Sequence, residues 1–330
     1  MTQNMDKKYH IAFCVDDIYA QYISVTIKSI AENFHIKGRE GICIHIITDF
    51  ISEKKLHRLN KIIKEYELLT LHIHKVDGSS LFELRTNGWG VYTWYRILLP
   101  NILSLGIDRV LYLDADTLVT ADLSELFDMD MTNKSIAAVV EDNTFGQKHY
   151  NRLGYESSKH YICAGVLLMN LDYWREHHLT EKMIEWAKKN EYRIRLLDQD
   201  TINYICQDTK ILLPLRFGIV QFFFMVDQFY ESPYLCQLEE CIRNPGIIHY
   251  AYCAPWYKDS ARHIMHKEWI KYNRMLRYPV RQIYKAKGWL LIKIMFWDIL
   301  HLFKGRGALT LEEVYAKIAS KRQGFAKVCK

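Results

Sequence analysis

No CxxC pair occurs among the eight cysteines at 14, 43, 163, 206, 236, 241, 253 and 329, and Cys236 and Cys241 have no second Cys or His cluster beside them. On spacing, then, no zinc site is expected. Several cysteines lie inside apolar runs such as Ala12-Phe13-Cys14-Val15, where a free thiol acts as a small core residue. A chain that folds without disulfides fits a reducing compartment. The segment Met1 to His10 lacks the apolar stretch of a signal peptide, so a cytoplasmic location is expected. Internal repeats and low-complexity tracts are lacking too. Long apolar runs are scarce: Trp289 to Phe303 is interrupted by Lys293, Asp298 and His301. At about 15 residues it falls short of the ~20 that span a bilayer. It reads as an amphipathic helix lying on a surface, with Trp289, Phe296, Trp297 and Phe303 as interfacial side chains, or as a helix packed on the chain's own core or on a partner.

What is present suits a globular protein. Across 330 residues, 49% are hydrophobic and 25% charged, enough to bury a core without metal or disulfide staples. The net charge of +6 is unevenly spread. Lys258 to Arg306 holds twelve Lys or Arg against Asp259, Glu268 and Asp298, so the rest of the chain is net acidic. Such a tail is either a solvated charged face or a surface for an anionic partner. Its aromatics cluster in one apolar stretch and do not alternate with basic residues. A membrane surface is therefore the expected partner, and nucleic acid is not.

The first third alternates between two periods. Tyr9 to Val15, Ile42 to Thr48 and Leu71 to Val76 read as strands, with helical patterns at Tyr19 to Phe34 and Ser52 to Tyr66 between them. That alternation predicts right-handed βαβ units and a largely parallel sheet. A helix over Val91 to Leu99, stopped by Pro100, comes next. Arg109 to Leu113 reads as a strand buried on both faces. Asp122 is expected to cap a short helix, with strands at Ile136 to Val140 and Val166 to Asn170. Helices are expected from Thr180 to Lys189 and from Asp198 to Cys206, the latter capped by Asp198 or Asp200.

Carboxylates mark the chemistry. Asp114-Ala115-Asp116 follows the buried strand at its C-terminal end, where open α/β sheets bind ligands. Two carboxylates one residue apart can face one hard divalent cation, Mg²⁺ or Mn²⁺. Ile247-Ile248-His249 ends in an imidazole that is either a core histidine or a third ligand favouring Mn²⁺. Asp198-Gln199-Asp200, with Asn203 one turn on, either caps a helix or faces a substrate.

Six segments in this order, FCVDDIYAQYISVTIKSI, YRILLP, DRVLYLDADTLVTADLSELF, CAGVLLMNLDYW, LLDQDTIN and IIHYAYCAPW, resemble glycosyltransferase family 8. The resemblance covers Tyr9 to Trp256. The family includes bacterial lipopolysaccharide galactosyl- and glucosyltransferases and glycogenin-like enzymes. It implies an α/β architecture: a GT-A type, Rossmann-like fold with a mixed, mostly parallel central sheet over 1–257. A basic, helical C-terminal region over 258–330 would follow, peripheral on the inner face of the plasma membrane. It also implies a UDP-hexose donor, Mn²⁺ (or Mg²⁺) and retention at the anomeric carbon, with a glycan or lipid-linked oligosaccharide such as lipopolysaccharide core as acceptor. The alternative is a UDP-sugar-binding protein without transferase activity.

Position by position, the resemblance assigns donor contacts to Cys14, Val15, Asp16 and Tyr19, and to Arg96, Asp114 and Ala115. Cys163, Ala164 and Gly165 match the wall beside the donor sugar. Asp114, Asp116 and His249 match the metal ligands, and Asp198 and Gln199 the residues flanking the transferred hexose. Four positions depart from the family pattern. Ile18, Cys163 and Gly218 (after Arg216-Phe217) stand where Asn is common. Ala254 replaces the Lys before Pro255-Trp256 in a motif one residue shorter, leaving Lys258 and Arg262 as the nearest cations.

Overall fold

A computed structural model describes residues 7–81, 83–141, 146–225, 227–258, 263–283, 285, 287 and 310–324. Seven strands form the main sheet in the order β3-β2-β1-β4-β7-β6-β8. They are β1 (Tyr9–Cys14), β2 (Ile42–Thr48), β3 (Leu69–Lys75), β4 (Arg109–Leu113), β6 (Ile136–Val140), β7 (Ile162–Asn170) and β8 (Lys210–Leu213). All pairings are parallel except those of β7, which runs antiparallel to both β4 and β6. The sheet is thus mixed and mostly parallel, as the GT-A expectation requires.

Side chains alternate across the sheet. Ile11, Phe13, Leu111 and Leu113 join one buried cluster with Ile23, Val25 and Ile27 of the helix Ile23–Asn33. Ala12, Cys14, Val110 and Tyr112 join a second cluster with Trp94, Ile97 and Trp174. Burial on both faces explains why β1 and β4 read as continuous apolar runs.

Local corrections follow from packing. The stretch Tyr19 to Phe34 divides into a 3-10 turn, Tyr19–Gln21, and the α-helix Ile23–Asn33. Val91–Leu98 is a 3-10 segment, and Pro100 does not stop it. Pro100 sits in the first turn of the helix Leu99–Ile102, where a missing N–H costs nothing. Asp122 accepts the Ser124 N–H and hydroxyl from one residue before the N-cap, which is Leu123 and not Asp122 as expected. The helix over Leu197–Ile205 starts one residue early and has no side-chain cap at Leu196. Six cysteines are free and buried. Cys236 is disulfide-bonded, correcting the expectation of a chain without disulfides; sequence spacing does not reveal such pairing.

Two three-residue strands escaped the sequence pattern. β5 (Thr117–Val119) and β9 (Ile247–His249) pair antiparallel, setting Thr117 opposite His249. Their shortness leaves no measurable alternation.

The described C-terminal parts pack on the body. Trp269 and Tyr272 of the helix His266–Met275 join the first cluster, and Asn33 Nδ2 donates to the Tyr272 hydroxyl at 2.7 Å. Val314 and Ile318 of Leu311–Gly324 are buried in the same cluster. The segment Trp289 to Phe303 and Arg262 lie outside the described residues. Among the described residues, no helix is long and apolar enough to cross a membrane.

Candidate functional site

An open cleft of about 280 Å³ lies at the C-terminal ends of β1 and β4. Cys14, Val15, Tyr19, Arg96, Asp114, Ala115, Asp116, Cys163, Ala164, Asp198, Gln199 and His249 all line it. Two residues from the same motifs do not. Asp16 Oδ1 accepts the Tyr19 backbone N–H at 2.8 Å and so shapes the turn beside the cleft. Gly165 acts through its backbone and its missing side chain.

The floor is built by a tight turn. Asp114 donates its N–H to Gly165 O at 2.9 Å, and its own carbonyl accepts the Thr117 N–H and hydroxyl. Asp116 O then accepts the Tyr250 N–H at 2.9 Å, tying the β4–β5 turn to β9. His249 Nε2 therefore lies 3.3 Å from Asp116 Oδ1 and 3.7 Å from Asp114 Oδ2. One ligand atom from each of the three lies within 4.8 Å of the others. Two carboxylates and one imidazole suit Mn²⁺, and Mg²⁺ less well. Cys163 Sγ sits 3.5 Å from His249 Nδ1 and orients the ring. Burial opposes a proton on His249, but the Asp116 carboxylate 3.3 Å away favours one, and its pKa is raised well above the ordinary value. The field that holds this proton also attracts a divalent cation.

Arg96 organises the opposite wall. Its guanidinium is 3.1 Å from Asp114 Oδ1 and donates to Ala164 O and Thr93 O. It also stacks 4.3 Å above the Tyr112 ring. Asp198 Oδ2 approaches Arg96 Nε at 2.9 Å, out of line for a hydrogen bond, and has no hydrogen-bond partner. Burial pushes Asp198 up to about 7 against the pull of Arg96. A buried oxygen on a cleft wall that is ion-paired but accepts no hydrogen bond fits a ligand hydroxyl.

The DQD segment divides its labour. Asp200, fully buried, pairs with Arg152 at 2.7 Å and accepts the Arg195 and Leu196 N–H groups. It braces a turn in which Leu197 takes φ 49°, a strained value for a branched residue. Asn203 anchors the helix to both polar groups of Ile162. Only Asp198 and Gln199 of the four turn to the cleft. Gln199 Oε1 accepts the Ala164 N–H at 2.9 Å and its Nε2 donates to Glu141 Oε2 at 2.8 Å.

The family model for glycosyl transferase family 8 matches residues 10–260. The chain belongs to that family. A lipopolysaccharide 1,2-glucosyltransferase of Escherichia coli is 26% identical over 64% of this chain and 62% of that protein. A lipopolysaccharide 1,3-galactosyltransferase of Salmonella typhimurium is 28% identical over 59% of each. The chain thus spans about three fifths of these two relatives. General stress protein A of Bacillus subtilis is 26% identical over 81% of this chain and 93% of that protein. Among solved structures, the galactosyltransferase LgtC with donor and acceptor sugar analogues aligns at TM-score 0.70 and 22% identity, over 86% of this chain and 99% of that one. That likeness supports the GT-A fold.

Three of the four family departures have structural readings; nothing in the structure explains Ile18. At Gly218 a Cβ would lie 2.9 Å from Val139 Cγ2, so Asn has no room there. Cys163 uses its thiol on His249. Ala254 lines the cleft without a charge, while Lys285, far along the chain, lines the same cleft. Arg96 and Lys285 are the Lys or Arg side chains among the described lining residues; Lys258 is not one of them.

Sequence reasoning missed Lys285 and Glu141. Glu141 follows the apolar strand β6, the same strand-end signal that marks Asp114. Burial pushes Glu141 up to about 7, opposed by the Gln199 hydrogen bond and His249. The folded chain then keeps a proton that the unfolded chain releases near the usual 4.5, so stability falls as pH rises between those values. In metal-free protein, urea unfolding should show a loss of roughly 3 kcal/mol from this group across that window. Glu141→Gln should flatten the slope; an unchanged slope would mean the carboxylate is ionised throughout.

Proposed function

We propose that the chain transfers glucose or galactose, with retention, from a UDP-sugar to a cell-surface glycan such as lipopolysaccharide core. The observation that carries this reading is the convergence of Asp114, Asp116 and His249 on the floor of a cleft whose wall presents Asp198 Oδ2, ion-paired with Arg96 but without a hydrogen bond. The names of the curated relatives supply the two sugars and the acceptor class.

Mn²⁺ held by Asp114, Asp116 and His249 would supply positive charge to the donor diphosphate. Arg96 is committed to Asp114 and Asp198 and fixes their positions. Lys285, exposed with its ammonium over the Tyr257 ring, supplies the cation that Ala254 does not. Asp198 Oδ2 accepts a hydroxyl of the transferred hexose. Gln199 is an amide held at both ends, a poor nucleophile. Retaining hydrolases place a carboxylate there. The acceptor hydroxyl accordingly enters on the face that UDP leaves, passing its proton to the departing phosphate. Trp89 and Tyr252, 56% and 66% exposed on the cleft lining, offer flat faces to acceptor sugar rings.

UDP release from a panel of UDP-sugars, with and without Mn²⁺ and a lipopolysaccharide acceptor, tests this. One donor should turn over with metal, and Asp116→Ala should lower kcat about a thousandfold. Lys285→Ala should lower kcat/KM for the donor roughly tenfold or more, while Lys258→Ala stays near wild type. Mass spectrometry should find no sugar adduct on Gln199. UDP binding without turnover on any acceptor would favour the inactive binding protein, and absence of UDP binding would overturn both readings.

The basic residues between Lys258 and Arg306 are proposed to meet the anionic inner face of the membrane, near a lipid-linked acceptor. Cosedimentation with anionic liposomes should be lost in high salt. Equal binding to neutral liposomes, or tight binding to oligonucleotides, would sink this assignment.

A further inference from the structure

Away from the cleft, the edge of the main sheet carries an unusual set of side chains. β1, β2 and β3 are adjacent and parallel, with His10 opposite Cys43 and His45 opposite His72. Alternation puts His10, Cys43, His45, His72 and His74 on the same face of the sheet. His10, Cys43 and His45 are 3–4% exposed. Five polar or thiol side chains on one face of three strands have no part in the proposed transfer.

Their geometry is that of ligands. His10 Nδ1 lies 3.0 Å from His45 Nε2, and His45 Nδ1 lies 3.0 Å from His74 Nε2. Ligand atoms of His10, Cys43 and His45 all lie within 4.8 Å of one another. Zn–N bonds of about 2.0 Å and Zn–S bonds of about 2.3 Å place tetrahedral ligand atoms roughly 3.3–3.7 Å apart. The three side chains need shifts of about 1 Å or less to meet one ion. Two imidazoles and a thiol form a softer set than Asp114, Asp116 and His249, and select Zn²⁺ over Mn²⁺ or Mg²⁺.

We propose that His10, Cys43 and His45 form a zinc site that cross-links β1 and β2. His10 Nδ1, Cys43 Sγ and His45 Nε2 are the ligands, and a water that enters with the ion takes the fourth position, as in three-ligand zinc sites. On binding, the Cys43 thiol gives its proton to solvent and coordinates as thiolate. His74 accepts the His45 Nδ1–H, which fixes the tautomer that aims the His45 Nε2 lone pair at the metal. His10 lies four residues before Cys14, about 13 Å along β1 from the cleft, so the two metal sites are separate. Spacing rules pass over this set because its ligands come one strand at a time. No CxxC is needed when register brings Cys43 beside His10.

Cobalt reports thiolate ligation directly, through a near-ultraviolet thiolate-to-cobalt charge-transfer band. The full-length chain should bind one Co²⁺ with this band, and Zn²⁺ should displace it. Asp116→Ala, which empties the cleft site, and Cys163→Ser, which removes the thiol beside His249, should both keep the band. Cys43→Ser should lose it, and His10→Gln should weaken Co²⁺ binding at least tenfold, both with wild-type far-ultraviolet circular dichroism in EDTA. Saturating Zn²⁺ should raise the melting temperature of wild type and of Asp116→Ala, but not of Cys43→Ser. No band in wild type, or a band that survives Cys43→Ser, overturns the site and leaves a metal-free histidine ladder. Because the readout is metal binding in the Asp116→Ala background, it stands or falls apart from the transferase reading.

Discussion

Alanine at position 165 should abolish transfer while leaving the sheet folded. A Cβ built on Gly165 falls 2.1 Å from His249 Cε1 and 2.6 Å from its Nε2. Contacts this short do not occur, so the ring or the strand must move. The backbone of His249 is pinned, since β9 pairs with β5 and its N–H donates to Ile219 O at 2.9 Å. The ring is 4% exposed and hemmed in by Cys163 and Asp116. It must turn away from the two carboxylates. Mn²⁺ affinity should fall on the order of 100-fold, as when a ligand is misaligned. Overpacking should cost about 1–3 kcal/mol of stability, which spares the fold. Calorimetric titration of Mn²⁺ with UDP checks the first number and urea unfolding the second. A double variant with His249→Ala decides the cause: once the ring is gone, Gly165→Ala should cost little more. Wild-type metal affinity in Gly165→Ala would remove His249 from the ligand set.

Arg96→Met should be the most destabilising single change at the site. The guanidinium stands between Asp114 and Asp198, 3.1 Å and 2.9 Å away, and is itself buried. Methionine keeps the packing but leaves two carboxylates facing each other without a cation. Breaking a buried ion pair on one side costs about 3–5 kcal/mol. The Ala164 and Thr93 carbonyls lose donors as well. Asp198 is already pushed up to about 7 with Arg96 present. Without Arg96 it rises further, so the penalty should shrink at acid pH, where the carboxyl is neutral. Arg96→Lys should recover only part of the loss, because an ammonium lacks the planar fork that reaches Asp114 and Ala164 together. Urea unfolding of the three proteins at neutral and acid pH tests this. A loss below about 1 kcal/mol would mean that water already screens the cluster.

Local composition made much of this legible. The runs at β1, β2 and β4 are apolar because both faces are covered, so the strands, their parallel order and the ligand-binding end could be read directly. Asp114 and Asp116 announced themselves at a strand end, and Asp198 and Gln199 at a helix start. Within the same DQD triplet the sequence did not separate roles. Asp200 looks like its neighbours, but Arg152 and two backbone N–H groups claim it. Glu141 was passed over because Glu141-Asp142 lacks the one-residue gap that lets two carboxylates face one cation.

By itself, then, the sequence determined the family, the α/β sheet and the carboxylates that face the cleft, because burial period and motif order are local properties of the chain. Tertiary structure decided which groups meet. His249 reaches Asp116 through two three-residue strands, Gly165 matters for the atom it lacks, and Lys285 arrives from far along the chain. His10, Cys43 and His45 share a corner only through the register of parallel strands. Each of these is a distance between residues remote in sequence. Such distances follow from how the layers pack, which no local pattern encodes.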